Sequence, residues 1–181
     1  HLVLVMELLG GRSLQLVFKE DAPLSWRRVV DLTLQLLGAL KEAHAHGVVH
    51  RDVKPANVVV ERERGGRDRA KLIDFGVARV AAGRRITRAD QIVGTATYMA
   101  PEQAQPGAVG PSADLYAVGV ILFQMLTGHV PFRGETALSV ISQHGMAPRP
   151  DPRRVGPRAV PDGLAEVCLA ALTIDPRGRF A

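Results

Sequence analysis

The chain is poor in cysteine, in aromatic residues and in long apolar runs. Its one cysteine, Cys168, cannot form a disulfide within the chain, so we expect a reducing, cytoplasmic compartment. Aromatic residues are only 4% of the 181 residues, which leaves no stacking platform for nucleic-acid bases. No apolar run approaches the roughly 18 residues of a membrane span, and no signal peptide is visible. We therefore predict no membrane segment in this chain and no nucleic-acid partner.

The charge balance is basic, with a formal net charge of +5. A basic chain can bind nucleic acid, but here the arginines are scattered along the sequence and few aromatic residues accompany them. We interpret the excess as a solvated basic surface that suits an acidic or phosphorylated partner.

Apolar patterning predicts the elements before and after a central polar loop. Residues 1–7 are mostly apolar and predict a buried strand, and residues 13–18 predict one or two helical turns. A longer helix is predicted from Pro23, with an apolar stripe broad enough to bury most of it, and Gly47 as its stop. Residues 58–60 and 70–73 predict two strands joined by a turn over 61–69.

The second half predicts a mostly helical unit. Residues 114–126 are almost all apolar, which indicates a helix at the centre of a core, with Ser112 as N-cap and Gly128 as stop. A shorter helix is predicted over 135–143, a loop over 146–161, and a final amphipathic helix that contains Cys168.

The central polar loop follows the long helix and precedes the first strand of the pair. Asp52, Lys54 and Asn57 supply a proton acceptor, a point positive charge and a neutral oxygen ligand, and Asp74 supplies a second carboxylate downstream. Phosphoryl transfer needs these groups, because it requires an oriented hydroxyl, a cation beside the phosphate and ligands for a divalent metal.

The order of these residues resembles the protein kinase family. The matching motifs are His50-Arg51-Asp52 with Lys54 and Asn57, then Asp74-Phe75-Gly76, then Ala100-Pro101-Glu102. Lys54 followed by Pro55 is similar to the serine/threonine branch, and the arginine-rich composition favours a bacterial member. The resemblance implies an α+β kinase-like fold in which this chain forms mainly the α-helical C-lobe with short β hairpins, while the N-lobe is largely absent. Residues 1–181 would be a partial kinase domain, with the last N-lobe strand and the hinge in 1–12.

The resemblance also implies roles at the phosphate end of the site. Asp52 would orient the hydroxyl of the substrate, Lys54 would lie near the γ-phosphate, and Thr95 would hydrogen-bond near both. Asn57 and Asp74 would hold Mg²⁺ between the phosphates of ATP, since hard oxygen ligands suit that ion.

At the adenine end, the resemblance implies a hinge. Glu7 and Leu9 would bind adenine through the backbone, Met6 would guard the back of the pocket, and Val59 would form its floor. Lys54, Asn57 and Asp74 would complete the contacts with ATP.

Further residues would regulate or brace the site by the same resemblance. Arg51 would bind a phosphate on the activation loop, for which Thr87 is the candidate site, and a kinase homodimer would carry out that autophosphorylation. Glu102 and Arg179 would form a buried ion pair. Asp114 would accept hydrogen bonds from the backbone of His50 and Arg51.

Two functions remain open at this point. The glycine-rich loop, the strand lysine and the helix glutamate of the family have no counterpart in the chain, which also lacks an initiator Met, so we expect a piece of a longer protein. The first hypothesis is the catalytic lobe of a serine/threonine kinase acting on protein substrates, inactive or weakly active as an isolated fragment. The alternative is a non-catalytic, kinase-like interaction module. The sequence leaves open whether the parent protein is anchored to a membrane.

Overall fold

A computed structural model describes residues 5–75, 94–157 and 159–180. The strands are β1 (Arg12–Ser13), β2 (Val58–Arg62) and β3 (Asp68–Leu72). The helices are α1 (Leu14–Asp21), α2 (Trp26–Ala45), α3 (Ser112–Thr127), α4 (Ala137–Met146), α5 (Pro152–Val155) and α6 (Asp162–Ala171). Short 3₁₀ turns occur at Pro55–Asn57, Pro101–Ala104 and Pro176–Gly178.

Helix α3 is the centre of the core, as its apolar sequence predicts. Almost all of its side chains are buried, and α2 and α6 pack against it. The helix ends where expected, because Gly128 takes the left-handed conformation with φ of 79°. The N-cap prediction was wrong: Ser112 is already helical and Pro111 holds the cap position. The amides of Ala113 and Asp114 donate to the backbone carbonyls of Gly110 and Pro111, so no side-chain cap is needed.

Helix α2 is more exposed than its sequence predicted. It begins at Trp26 and not at Pro23, because Leu24 still donates its amide to the carbonyl of Met125 in α3. One stripe that contains Leu32, Leu36 and Leu40 is buried, whereas Leu34 is exposed on the opposite face. A helix of this amphipathic kind covers the core from one side only.

The three strands form one antiparallel sheet in the order β1-β2-β3. The predicted turn over 61–69 was too long, since β2 and β3 pair as far as Arg62 and Asp68. Asp68 is buried there and accepts from Arg28 Nε at 2.5 Å and from Arg62 Nη1 at 2.8 Å, which stabilises the end of the hairpin. Strand β1 was not predicted, because two residues carry no detectable periodicity.

The predicted buried strand over 1–7 is wrong for the described residues 5–7, and residues 1–4 lie outside the described range. Residues 5–10 form no strand, and Val5 is 89% exposed. No described strand pairs with this segment, so its backbone has no ladder to join. Side chains hold it instead: Glu61 Oε1 accepts from the Gly10 amide at 3.0 Å.

The last three helices complete the helical unit. Helix α4 begins later than predicted because Thr136 is its N-cap and accepts from Ser139 N at 3.1 Å. The predicted loop over 146–161 contains α5, which Asp151 caps. Cys168 is buried on α6, as expected for a core residue, and burial raises the pKa of its thiol to about 12. Within the described ranges, no helix combines the length and apolarity that crossing a membrane requires.

Candidate active site

The loop between α2 and β2 carries the polar residues that the sequence singled out. Its backbone is strained at Arg51, whose φ is 63° although it is not glycine. Asp114, buried in the first turn of α3, stabilises this conformation: its two carboxylate oxygens accept from the amides of His50 and Arg51, each at 2.8 Å. His44 Nε2 contacts the same carboxylate at 2.8 Å. The structure thus has the Asp114 contacts that the resemblance predicted.

His50 connects this loop to the segment after β3. Its Nε2 lies 3.0 Å from the carbonyl oxygen of Ile73, which can only accept, so Nε2 carries the proton. Nδ1 then accepts from the amide of Asp52 at 3.3 Å. The ring also packs against Phe75, with centroids 4.7 Å apart. One buried side chain therefore fixes the distance between the segments that carry Asp52 and Asp74.

Asp52, Lys54 and Asn57 lie together, as their proximity in sequence suggested. Lys54 Nζ donates to Asp52 Oδ2 at 2.9 Å. Asn57 Nδ2 donates to the backbone oxygen of Asp52 at 2.9 Å and to its Oδ2 at 3.4 Å. Both contacts orient the carboxylate of Asp52 at the mouth of the site.

Asn57 and Asp74 offer hard oxygen ligands. Because Asn57 donates through its amide nitrogen, its Oδ1 remains available as a ligand. The backbone oxygen of Asn57 accepts from the amide of Ile73 at 2.9 Å, which brings the neighbouring Asp74 close to Asn57. Asp74 is exposed and has φ of 57°. No group of three or more His, Cys, Asp or Glu side chains suited to a metal occurs in the described part of the chain. This donor set fits Mg²⁺, which takes one or two protein oxygens together with substrate phosphates.

A cleft of about 590 Å³ gathers the four residues expected at the adenine end, Met6, Glu7, Leu9 and Val59, and Asp74 lines it too. Met6 is 70% exposed, so in this structure it does not sit in a closed pocket as the hinge interpretation predicted. The reason is that residues 5–10 form no strand that would turn the side chain inward.

Glu7 is fixed at the edge of this cleft by an ion pair. Lys71 Nζ donates to its Oε1 at 2.5 Å, and this hydrogen bond lowers the pKa of Glu7. The pair attaches the exposed segment 5–10 to strand β3.

The fold agrees with the comparisons with known proteins. The chain matches the protein kinase domain over residues 1–180. It belongs to the protein kinase family. Among similar proteins, serine/threonine-protein kinase pkn3 of Myxococcus xanthus is 39% identical over 99% of this chain and 34% of its own length. PkaA of Streptomyces coelicolor is 42% identical, over 98% of this chain and 32% of its length. PknL of Mycobacterium tuberculosis is 39% identical, over all of this chain and 44% of its length.

The chain therefore spans 32% to 44% of the length of these curated kinases. The α+β fold with a mainly helical lobe and a small antiparallel sheet is that of a kinase domain fragment, as predicted. The proposed partial-domain boundaries remain a prediction.

A second groove of this kinase domain includes Lys54 in its lining. It measures about 840 Å³ and is lined by Lys54 and Thr95 together with residues of α1. Thr95 also lines a small pocket with Asp52, so it lies near both residues, while its hydrogen bond there remains a prediction. Thr87, the candidate phosphorylation site, falls outside the described residues.

The predicted Glu102–Arg179 pair is present at the base of the domain. Arg179 Nη1 and Nη2 donate to the two carboxylate oxygens of Glu102 at 2.6 and 3.0 Å. The guanidinium is fully buried and lies 4.7 Å from the ring centroid of Tyr116. This bidentate contact joins the Ala100-Pro101-Glu102 motif to the turn at Pro176–Gly178.

Gln103 makes two hydrogen bonds that its sequence position did not predict. Its Oε1 accepts from the amide of Ala100 at 2.9 Å, and its Nε2 donates to the backbone oxygen of Arg51 at 2.9 Å. Arg51, the strained residue of the loop between α2 and β2, is therefore held from both sides, by Asp114 at its amide and by Gln103 at its carbonyl. A glutamine in a short turn carries no sequence signal for such a role, apart from its position next to Glu102.

A buried chain of hydrogen bonds that ends at the backbone of Thr97 was also not predicted. His144 Nε2 donates to the carbonyl of Thr97 at 3.0 Å, so its Nδ1 accepts from the hydroxyl of Tyr116 at 2.7 Å. Burial lowers the pKa of His144 to about 4 and raises the pKa of Tyr116 to about 12. These hydrogen bonds hold the backbone at Thr97, which lines the same groove as Lys54.

Proposed function

We propose that the chain is the catalytic lobe of a serine/threonine protein kinase that transfers the γ-phosphoryl group of ATP to a hydroxyl of a protein substrate. The observation that carries the proposal is the convergence of Lys54 and Asn57 on the carboxylate of Asp52, in a loop whose strained backbone is held by Asp114. Backbone strain of this kind persists only where its surroundings enforce it, and it concentrates at functional sites. Family membership and the names of the related kinases support the same chemistry.

In the proposed reaction, Asp52 accepts the proton of the substrate hydroxyl as the new oxygen–phosphorus bond forms and the bond between the γ-phosphorus and the departing ADP oxygen breaks. Lys54 is adjacent to Asp52 and offsets negative charge on the transferred group. Mg²⁺, held by Asn57 and Asp74, would neutralise charge on the phosphate oxygens. Asn57 also keeps Asp52 in place through its side-chain amide.

The remaining assignments follow the family pattern. Glu7 and Leu9 bind the adenine through the backbone, Met6 guards the back of the pocket and Val59 forms its floor. Arg51 binds the phosphate of Thr87 once a second copy of the kinase has phosphorylated that residue.

Replacing Asp52 by Asn in the full-length protein tests the proposal. We expect single-turnover phosphoryl transfer from Mg-ATP to fall by roughly 10²–10⁴-fold, because the amide cannot accept the proton. Single-turnover conditions exclude product release as the limiting step. The matched control is Asp162→Asn, the same chemical change at a side chain that is 82% exposed, and it should leave the rate unchanged. Transfer by Asp52→Asn at the rate of the control would show that Asp52 is not the base.

A further inference from the structure

The groove beside Lys54 has an uneven charge. Its described lining includes two lysines, Lys19 and Lys54, and no carboxylate. Gln15 and Phe18 of α1 line it, and so does Tyr98, whose hydroxyl donates to Gln124 Oε1 at 2.6 Å. An extended segment that enters this groove would therefore pass a surface of polar, aromatic and positively charged side chains.

Helix α1 directs its charges to opposite sides. Glu20 forms an ion pair with Arg12, and Asp21 accepts from Arg28 Nη1 at 3.0 Å, so both carboxylates are neutralised on the side of the sheet. Lys19 is exposed and lies in the groove with Gln15, as expected for residues four apart on a helix. No ion pair joins Lys19 to a carboxylate of the described residues, whereas Lys54 is already bound to Asp52.

We propose that this groove selects protein segments that carry aspartate or glutamate next to the acceptor serine or threonine, and that Lys19 is the specificity-determining residue. The inference rests on the proposed function, since the groove is lined by Lys54, which donates to Asp52. An acidic side chain in the groove gains attraction to Lys19, while an arginine at the same place is repelled by it and finds no carboxylate among the described lining residues.

Paired peptides test the proposal with the full-length protein. The peptides of a pair are identical except for one residue near the acceptor, Glu in one and Arg in the other, and that position is scanned along the peptide. For the wild-type protein we expect kcat/KM to favour the Glu peptide by roughly three- to tenfold at its best position, the size of one exposed attraction plus one repulsion. The preference should decrease as the salt concentration rises.

Lys19→Glu should abolish or invert this preference, and Lys19→Gln should reduce it to an intermediate value. The matched control is Lys41→Glu, which makes the same charge reversal at an exposed lysine on α2, away from the groove, and should keep the wild-type preference.

The outcomes separate the two proposals. If the wild-type protein transfers phosphate neither to any of the peptides nor to any protein substrate, the proposed kinase function is wrong. If transfer occurs but the Glu peptide is not preferred, or Lys19→Glu keeps the preference of Lys41→Glu, the acidic specificity of the groove is refuted and the kinase function stands.

Discussion

Replacing Arg179 by Met should lower the free energy of unfolding of this domain by about 3–5 kcal/mol. The guanidinium uses all of its N–H donors. Nε donates to the carbonyl of Thr173, Nη1 to Glu102 and the carbonyl of Ser112, and Nη2 to Glu102 and the carbonyl of Ile174. Methionine keeps most of the apolar stem but leaves these acceptors without a donor.

The expected loss of stability comes from the acceptors that Arg179→Met leaves without a donor. Each abandoned carbonyl that water cannot reach costs about 1 kcal/mol or more, and Glu102, whose side chain is only 19% exposed, keeps a charge with reduced access to water. Arg179→Lys should cost less, about 2 kcal/mol, because an ammonium group retains the charge but has too few donors for every acceptor.

Arg177→Met is the matched control. Arg177 lies in the same turn, but its side chain is 90% exposed and its ion-pair partner is Asp175. We expect its replacement to change stability by no more than about 0.5 kcal/mol.

Urea unfolding of the three variants in the full-length protein, followed by circular dichroism, measures these differences. A double-mutant cycle with Glu102→Gln isolates the contribution of the pair. The reasoning is refuted if Arg179→Met is no less stable than Arg177→Met, or if Arg179→Lys is as stable as the wild type.

Two further predictions concern the residues that the sequence did not reveal. The pKa of His144 is about 4 in the folded domain and about 6.5 when unfolded, so its contribution to stability is present in full above pH 6.5 and is lost as pH falls towards 4. The free energy of unfolding, measured with urea, should therefore decrease between pH 6.5 and pH 4, and His144→Gln should reduce this decrease by at most about 3 kcal/mol. An unchanged pH dependence in the variant would contradict the lowered pKa of His144. Gln103→Leu should lower single-turnover transfer about fivefold, the equivalent of one lost hydrogen bond to Arg51, whereas Gln105→Leu, at an exposed position, should not; equal rates would exclude a positioning role for Gln103.

The sequence predicted those parts of the domain whose signal is local. Helix α3 is apolar all round, so its central position could be predicted from its own residues. Asp52, Lys54 and Asn57 are close in sequence, and the loop that brings them together is short. Arg179 and Glu102 are far apart in sequence, and only the resemblance to kinases paired them.

The parts that were missed depend on partners elsewhere in the chain. Residues 5–7 read as a buried strand because their apolar content was clear, but a strand also needs a neighbour with which to pair, and the described residues provide none. His144 is one of several polar residues in an amphipathic helix, and its burial follows from Tyr116, which lies on another helix. Tertiary contacts of this kind leave no periodic trace in the sequence.

The loop between α2 and β2, which carries Asp52, shows how the core determines the geometry of the candidate site. A non-glycine residue with positive φ costs of order 1–3 kcal/mol, and Arg51 adopts that conformation with φ of 63°. The carboxylate of Asp114 accepts from the amides of His50 and Arg51 and from His44 Nε2. Hydrogen bonds to a charged group contribute roughly 1.5–3 kcal/mol each, so together they exceed the strain. Because Asp114 lies on the most buried helix, the orientation of Asp52 is determined by the packing of α3 as much as by the loop itself.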